Sequence, residues 1–229
     1  MTALTAMRLR GFLRGGRALA PTLAGLVVLG ILYGGDRAQA GEAYGVSAVV
    51  LFPVLAWQTK LLLDMEPDVQ RRLAIVAVGP RREMIAGLLA ATVLAVVTVV
   101  LALVLPWGIG GVTGPQRPGD LPLGHGVALG VWAHGLMIPA AVALGAFASR
   151  AVTRSQLCGV TILVTGGVAV IVFGLSDSVV PWLVPPLMSV ARLTASAPAW
   201  LAVLQLTAHG LLWAAVVLST YGWVRTRRT

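Results

Sequence analysis

Residues 84–107 read MIAGLLAATVLAVVTVVLALVLPW, twenty-four positions without a charged side chain. As a helix rising 1.5 Å per residue this run is roughly 36 Å long, enough to cross a hydrocarbon core of about 30 Å. An isolated strand of the same composition would leave its amides and carbonyls unpaired in lipid, whereas a helix satisfies them within itself. The run therefore reads as a membrane-spanning helix. Working outward, five further segments pass the same test, at approximately 18–34, 45–63, 126–148, 157–175 and 199–223. The expected fold is an all-α integral membrane protein: a bundle of six transmembrane helices over 18–223, preceded by an interfacial lead-in helix over 1–17 and followed by a basic tail over 224–229.

Composition agrees. Apolar residues make up 58% of the 229 and charged residues 11%, against roughly half and a quarter in soluble domains. Eight acids and 17 bases cannot clothe such a chain in water, which excludes a soluble enzyme. The formal charge of +9 does not signal nucleic acid either, because the bases sit between long apolar runs rather than on one wet face beside readout elements. They report orientation instead. Arg8, Arg10, Arg14, Arg17, Lys60, Arg71, Arg72, Arg81, Arg82, Arg150, Arg154, Arg225, Arg227 and Arg228 fall on one side of a six-span topology, and only Arg37, Arg117 and Arg192 on the other. Lys and Arg are retained inside, so both termini and the 60–83 loop are expected in the cytoplasm. Trp107, Trp182, Trp200 and Trp223 stand near span ends, where amphipathic rings prefer the interface.

Sixteen Arg against one Lys, with abundant Ala, Gly, Val and Leu, resemble the coding bias of a GC-rich bacterium, which points to a bacterial cytoplasmic (inner) membrane. Residues 1–40 also follow the three-part grammar of a secretory signal: basic, apolar, then Ala38-Gln39-Ala40. The long basic region and the crowding of Asp36 and Arg37 at the cleavage site favour retention as an anchor.

The connection preceding the opening run is the most informative loop. It reads KLLLDMEPDVQRRLAIVAVGPRRE over 60–83. Pro67 suits a first helical position, Glu66 and Asp68 complement the positive helix end, and Gly79-Pro80 is a stop signal, so a helix is expected over 67–78. Val69, Leu73 and Val76 share one face while Arg71 and Arg72 project elsewhere. In the lead-in segment Arg10, Arg14 and Arg17 share a face, with Leu9 and Phe12 away from it, a pattern suited to lying on an anionic leaflet. Gly11, Gly15 and Gly16 weaken that helix. The stretch 179–190 is apolar but too short to cross, which fits a re-entrant or interface-lying piece.

Several chemistries are missing. Lys60 lies outside any G-x-x-x-x-G-K-S/T phosphate loop. No H-E-x-x-H or G-x-S-x-G occurs, and Cys158 stands alone. Within the spans, His134 and His209 are the ionisable groups and lie at similar expected depth; with Gln205 they are the candidate pathway-lining residues.

Six spans in about 230 residues, a basic lead-in helix, a loop of the form Asp64-x-Glu66-x-x-x-x-Arg71-x-Leu73 ending in Val78-Gly79-Pro80-Arg81, and a proline-rich piece before the last span resemble the permeases of type-2 ABC exporters. The resemblance implies a coupling helix at 66–78, a lead-in helix at 7–17 and an outer gate element at 179–190. It implies that Glu66, Asp68, Arg71, Arg72, Leu73 and Val76 meet a separate nucleotide-binding ATPase, present in two copies. That partner would carry ATP and Mg, with no cofactor, metal or catalytic residue on this chain. A second six-span permease, identical or paralogous, would complete the pathway for an amphiphilic substrate. The rival readings are an ATPase-independent carrier or assembly subunit, and a membrane-embedded enzyme using His134 and His209.

Overall fold

A computed structural model describes residues 2–35 and 37–227. Met1, Asp36, Arg228 and Thr229 lie outside the described residues, the last two within the expected basic tail. Helix α1 (Thr2–Arg14) stops at Gly15 and Gly16, where Gly16 takes φ +68°, and α2 (Leu19–Tyr33) leaves at a 72° bend. The lead-in helix thus starts earlier and ends sooner than 7–17, broken where its glycines predicted weakness. A two-residue strand β1 (Ala38–Gln39) leads into α3 (Ala40–Leu63), then α4 (Asp68–Val78) and α5 (Pro80–Ile109). Strand β2 (Val112–Thr113) pairs in parallel with β1, Ala38 opposite Val112 and Gln39 opposite Thr113, and ties the link after α2 to the link after α5. Helices α6 (Leu123–Phe147), α7 (Arg150–Thr153) and α8 (Gln156–Phe173) follow. A single 3-10 turn, Pro181–Leu183, precedes α9 (Leu187–Thr194) and α10 (Trp200–Thr226).

Among the described residues five helices are long and apolar enough to cross a membrane: α3, α5, α6 with its continuation α7, α8 and α10. This is a multi-pass membrane protein. Helix α2 sits at the expected 18–34 run but has 15 residues, roughly 22 Å; alone it falls short, and the tally reaches six only if α1 and α2 count as one broken span. The apolar stretch 179–190 divides between the 3-10 turn and α9.

Helix α3 is the axis of the bundle, packed by α2, α5, α6, α8 and α9. Its closest neighbour, α6, approaches through small residues. A methyl group at Gly130 would fall 2.5 Å from Tyr44 Cβ, and one at Gly145 would collide with the Ala56 carbonyl oxygen. Without a hydrophobic drive between helices in lipid, such backbone approach supplies the packing. At one end of α3, Gly41 and Gly45 admit Thr194 and Ala191 of α9. The other end gathers Lys60, α4, α1 and the end of α10, and is called the basic end below.

Candidate functional site

Helix α4 stands at the basic end between α3 and α5. Pro67 caps it and Gly79, at φ +86°, ends it and starts α5, where Pro80 occupies the first turn. The helix begins one residue later than 67–78. None of its residues is buried, and Val69, Leu73 and Val76 are 69%, 64% and 85% exposed. Arg72 is exposed, and Arg71 reaches Asp68 at 3.4 Å with both side chains open to solvent, a pairing of little worth. Between α1 and α4 lies a cleft of about 550 Å³, walled by Leu4 and Met7 on one side and Leu73, Ala74 and Ala77 on the other, with Arg8 and Glu66 in its lining.

Glu66 does not join that exposed row. Both its oxygens accept from Arg8, from Nε at 2.7 Å and Nη2 at 2.6 Å. Arg8 also donates to the Glu83 carbonyl at 2.9 Å and to Glu83 Oε1 at 2.5 Å. The other Glu83 oxygen accepts from Arg225, which also donates to the Tyr221 hydroxyl and lies over that ring, 5.7 Å from its centroid. Gly87 makes room for Arg8, since a methyl there would fall 2.5 Å from its Nη1. Two guanidiniums and two carboxylates thus join α1, the start of α4, α5 and α10. Burial works against the charged Arg8, and its bonds to Glu66 and Glu83 offset that cost. The three acids of the 64–68 run face three different cations: Asp64 meets Lys60 at 2.6 Å, Glu66 meets Arg8, and Asp68 meets Arg71.

Arg8, Glu83, Arg225 and Tyr221 were not singled out by sequence, where the two arginines count only as orientation signals. The available hint was that Glu66 and Glu83 stand among bases at the ends of apolar runs, where a desolvated carboxylate must find a cation.

The histidines are not brought together. His134 is fully buried between α6 and α3, with Nδ1 2.9 Å from the Gly130 carbonyl and Nε2 3.1 Å from Ser47 Oγ; Tyr44 meets it edge-on at 6.1 Å. A carbonyl only accepts, so Nδ1 carries a hydrogen; Ser47 Oγ stands 3.1 Å from both Nε2 and the Tyr44 carbonyl, with one hydrogen to give to either. His209 faces the 3-10 turn, Nε2 3.4 Å from the Trp182 carbonyl, and shares no partner with His134. Beside it Trp213 donates to the Leu183 carbonyl at 2.8 Å. Gln205 is exposed on the outer face of α10.

No protein-family model matches the chain, and no curated protein and no solved structure resembles it significantly. The functional reading therefore rests on the chain's own chemistry.

Proposed function

We propose that this chain is the transmembrane permease subunit of an ATP-driven exporter of the type-2 ABC kind, working with a separate ATPase. In this reading α1 and α2 complete a six-span layout with both termini in the cytoplasm of a bacterial cell, α4 is the coupling helix, and a second permease closes the pathway. ATP and Mg belong to the ATPase pair.

The supporting observation is α4: an amphipathic helix with an exposed apolar row and two arginines off the buried network, carried between two spans and rooted in a buried charge network. An exposed row of Val69, Leu73 and Val76 on a short helix asks for a partner groove. The rigid link from Glu66 through Arg8 and Glu83 to Arg225 is a route by which displacement of α4 reaches α1, α5 and α10. ATP-driven closure of the partner would exchange inward- and outward-open arrangements through that linkage.

The test is the double reversal Arg71→Glu with Arg72→Glu. Both residues lie off the buried network, and acids weigh little in orientation, so insertion should match the parent. A loss of about 2.8 kcal/mol at the contact would weaken association roughly a hundredfold. Parent protein purified in mild detergent from its own membranes should retain an ATP-hydrolysing subunit that the double variant loses. If no ATPase accompanies the parent, or the variant retains it equally, the reading fails.

A further inference from the structure

A second feature has no residue of α4 in its lining. Helices α3 and α8 diverge to leave an apolar groove of about 620 Å³, floored by Pro53 and Gly167 and lined by Leu163, Val164, Val168 and Ile171. Val164, Val168 and Ile171 remain about half exposed, so the groove opens toward the hydrocarbon. From Gln156 to Ile171 it follows α8 for roughly 22 Å, the scale of one acyl chain. Its basic end runs into a polar pocket of about 450 Å³; Trp57, Leu61 and Gln156 line both.

The charges in that pocket do not balance. Asp64 is the one acid in its lining, and it is already satisfied, Oδ2 by Lys60 Nζ at 2.6 Å and Oδ1 by the Arg150 backbone N–H at 2.7 Å. The guanidiniums of Arg150 and Arg17 instead bond neutral carbonyls, Asp64 O at 2.8 Å and Met65 O at 3.3 Å. Arg150 Nε is buried without a hydrogen-bond partner among the described residues. Two uncompensated guanidiniums at the mouth of an acyl-sized groove complement a phosphate on a lipid chain.

We propose that this groove and pocket bind one anionic phospholipid from the leaflet at the basic end, its acyl chain between α3 and α8 and its phosphate between Arg17 and Arg150. Trp57 lies at the junction of the two, where an amphipathic ring suits a glycerol backbone. An acyl chain gains little by leaving lipid for an apolar groove, because lipid tails are as apolar as Leu. Selectivity therefore comes from the head group, and two cations correspond to a preference of roughly tenfold to thirtyfold for an anionic over a zwitterionic lipid. The site does not depend on the transport reading, and its test uses no ATPase.

The full chain is reconstituted in vesicles of equal phosphatidylglycerol and phosphatidylcholine, extracted, and its retained lipid identified by native mass spectrometry. One phosphatidylglycerol per chain is expected. Gly167→Phe, which fills the groove and leaves every charge in place, should lose the retained lipid. Arg17→Gln, which removes only an exposed 3.3 Å bond from the fold, should lower the preference several-fold, and the addition of Arg150→Gln should abolish it. Equal retention of the two lipids by the parent, or undiminished phosphatidylglycerol in Gly167→Phe and Arg17→Gln, would overturn the proposal. So would displacement of the lipid by millimolar inorganic phosphate, which would assign the pocket to a free anion.

Discussion

One carboxylate, Glu83, is shared by guanidiniums 75 residues before it and 142 residues after it. Removing one member of a buried ionic group costs more than forming the group stabilises, because the remaining charges stay desolvated and unmatched. Glu83→Gln should therefore destabilise the bundle by about 3–5 kcal/mol, read as an earlier unfolding midpoint in a denaturant titration. An unchanged midpoint would mean that the network is wetter than its burial implies. His134 belongs to the same class: His134→Ala opens a cavity and removes the ring's bonds to Ser47 and the Gly130 carbonyl, for roughly 2–4 kcal/mol. His209→Ala, losing one long bond to Trp182, should cost much less. If the two cost the same, His134 is not the packed tie described above. Asp120 gives a pH-dependent counterpart outside the spans. It accepts from the backbone N–H groups of Gln116 at 2.7 Å and Arg117 at 2.8 Å, and these bonds hold its pKa below the ordinary value. A carboxylate lowered in the folded state stabilises its turn above the unfolded pKa and loses that effect as pH falls through the folded one. Hydrogen exchange should find the Gln116 and Arg117 amides protected through the ordinary carboxylate range and released only below it. Release at the ordinary value would show that the turn does not form.

At the scale of elements, exposure and packing separate cleanly. Leu73→Asp with Val76→Asp alters an open face of α4, so stability should stay within about 0.5 kcal/mol of the parent while any ATPase is lost; a large fall in stability would show that this face is covered within the chain. Gly145→Ala does the opposite, because its methyl meets the backbone oxygen of Ala56, which has no flexible end to yield. Folded yield should collapse, and normal yield would mean that α3 and α6 separate more easily than their contact suggests. The helices were legible because uncharged runs and Gly-Pro punctuation are local properties: α4 lies where Pro67 and Gly79 put it, within a residue, while α5 already starts at Pro80, ahead of the expected 84–107 run. Their pairing was not. Small residues spaced by four occur at Gly30 with Gly34 and at Gly126 with Gly130 alike, yet a methyl at Gly30 meets nothing within 4 Å while Gly126 and Gly130 press on Ala40 and Tyr44. A methyl at Gly41, Gly45 or Gly145 would sit closer still, against Thr194 in the first two cases and the Ala56 carbonyl in the third. Which face of a uniformly apolar helix turns inward is decided by its neighbours, and amphipathicity carries little of it when lipid replaces water.

For the whole molecule the charge asymmetry makes a claim that internal pairing alters less than it first suggests. Arg8, Lys60 and Arg225 are spent on buried carboxylates in the folded bundle. Setting them aside leaves eleven bases at one end against three at the other. Orientation, moreover, is set while spans are being inserted, when Lys and Arg act on the translocating chain and acids contribute little, so the buried pairs still count toward retention. The basic end, with α4, should face the cytoplasm, and the β1–β2 end with the 114–120 turn should face outward. With the exposed Cys158 replaced, a cysteine introduced as Gln116→Cys should react with an impermeant maleimide on intact cells, and one introduced as Gln70→Cys on α4 only after permeabilisation. The reverse pattern would put α4 outside, out of reach of any ATP-hydrolysing partner, and would remove the coupling surface while turning the phospholipid site to the outer leaflet. Labelling of both cysteines on intact cells would instead show a mixed orientation, which a bias of this size forbids. The two positions are informative because neither lies in a buried ion pair or a helix contact, so each reports the side it faces and not the stability of the fold.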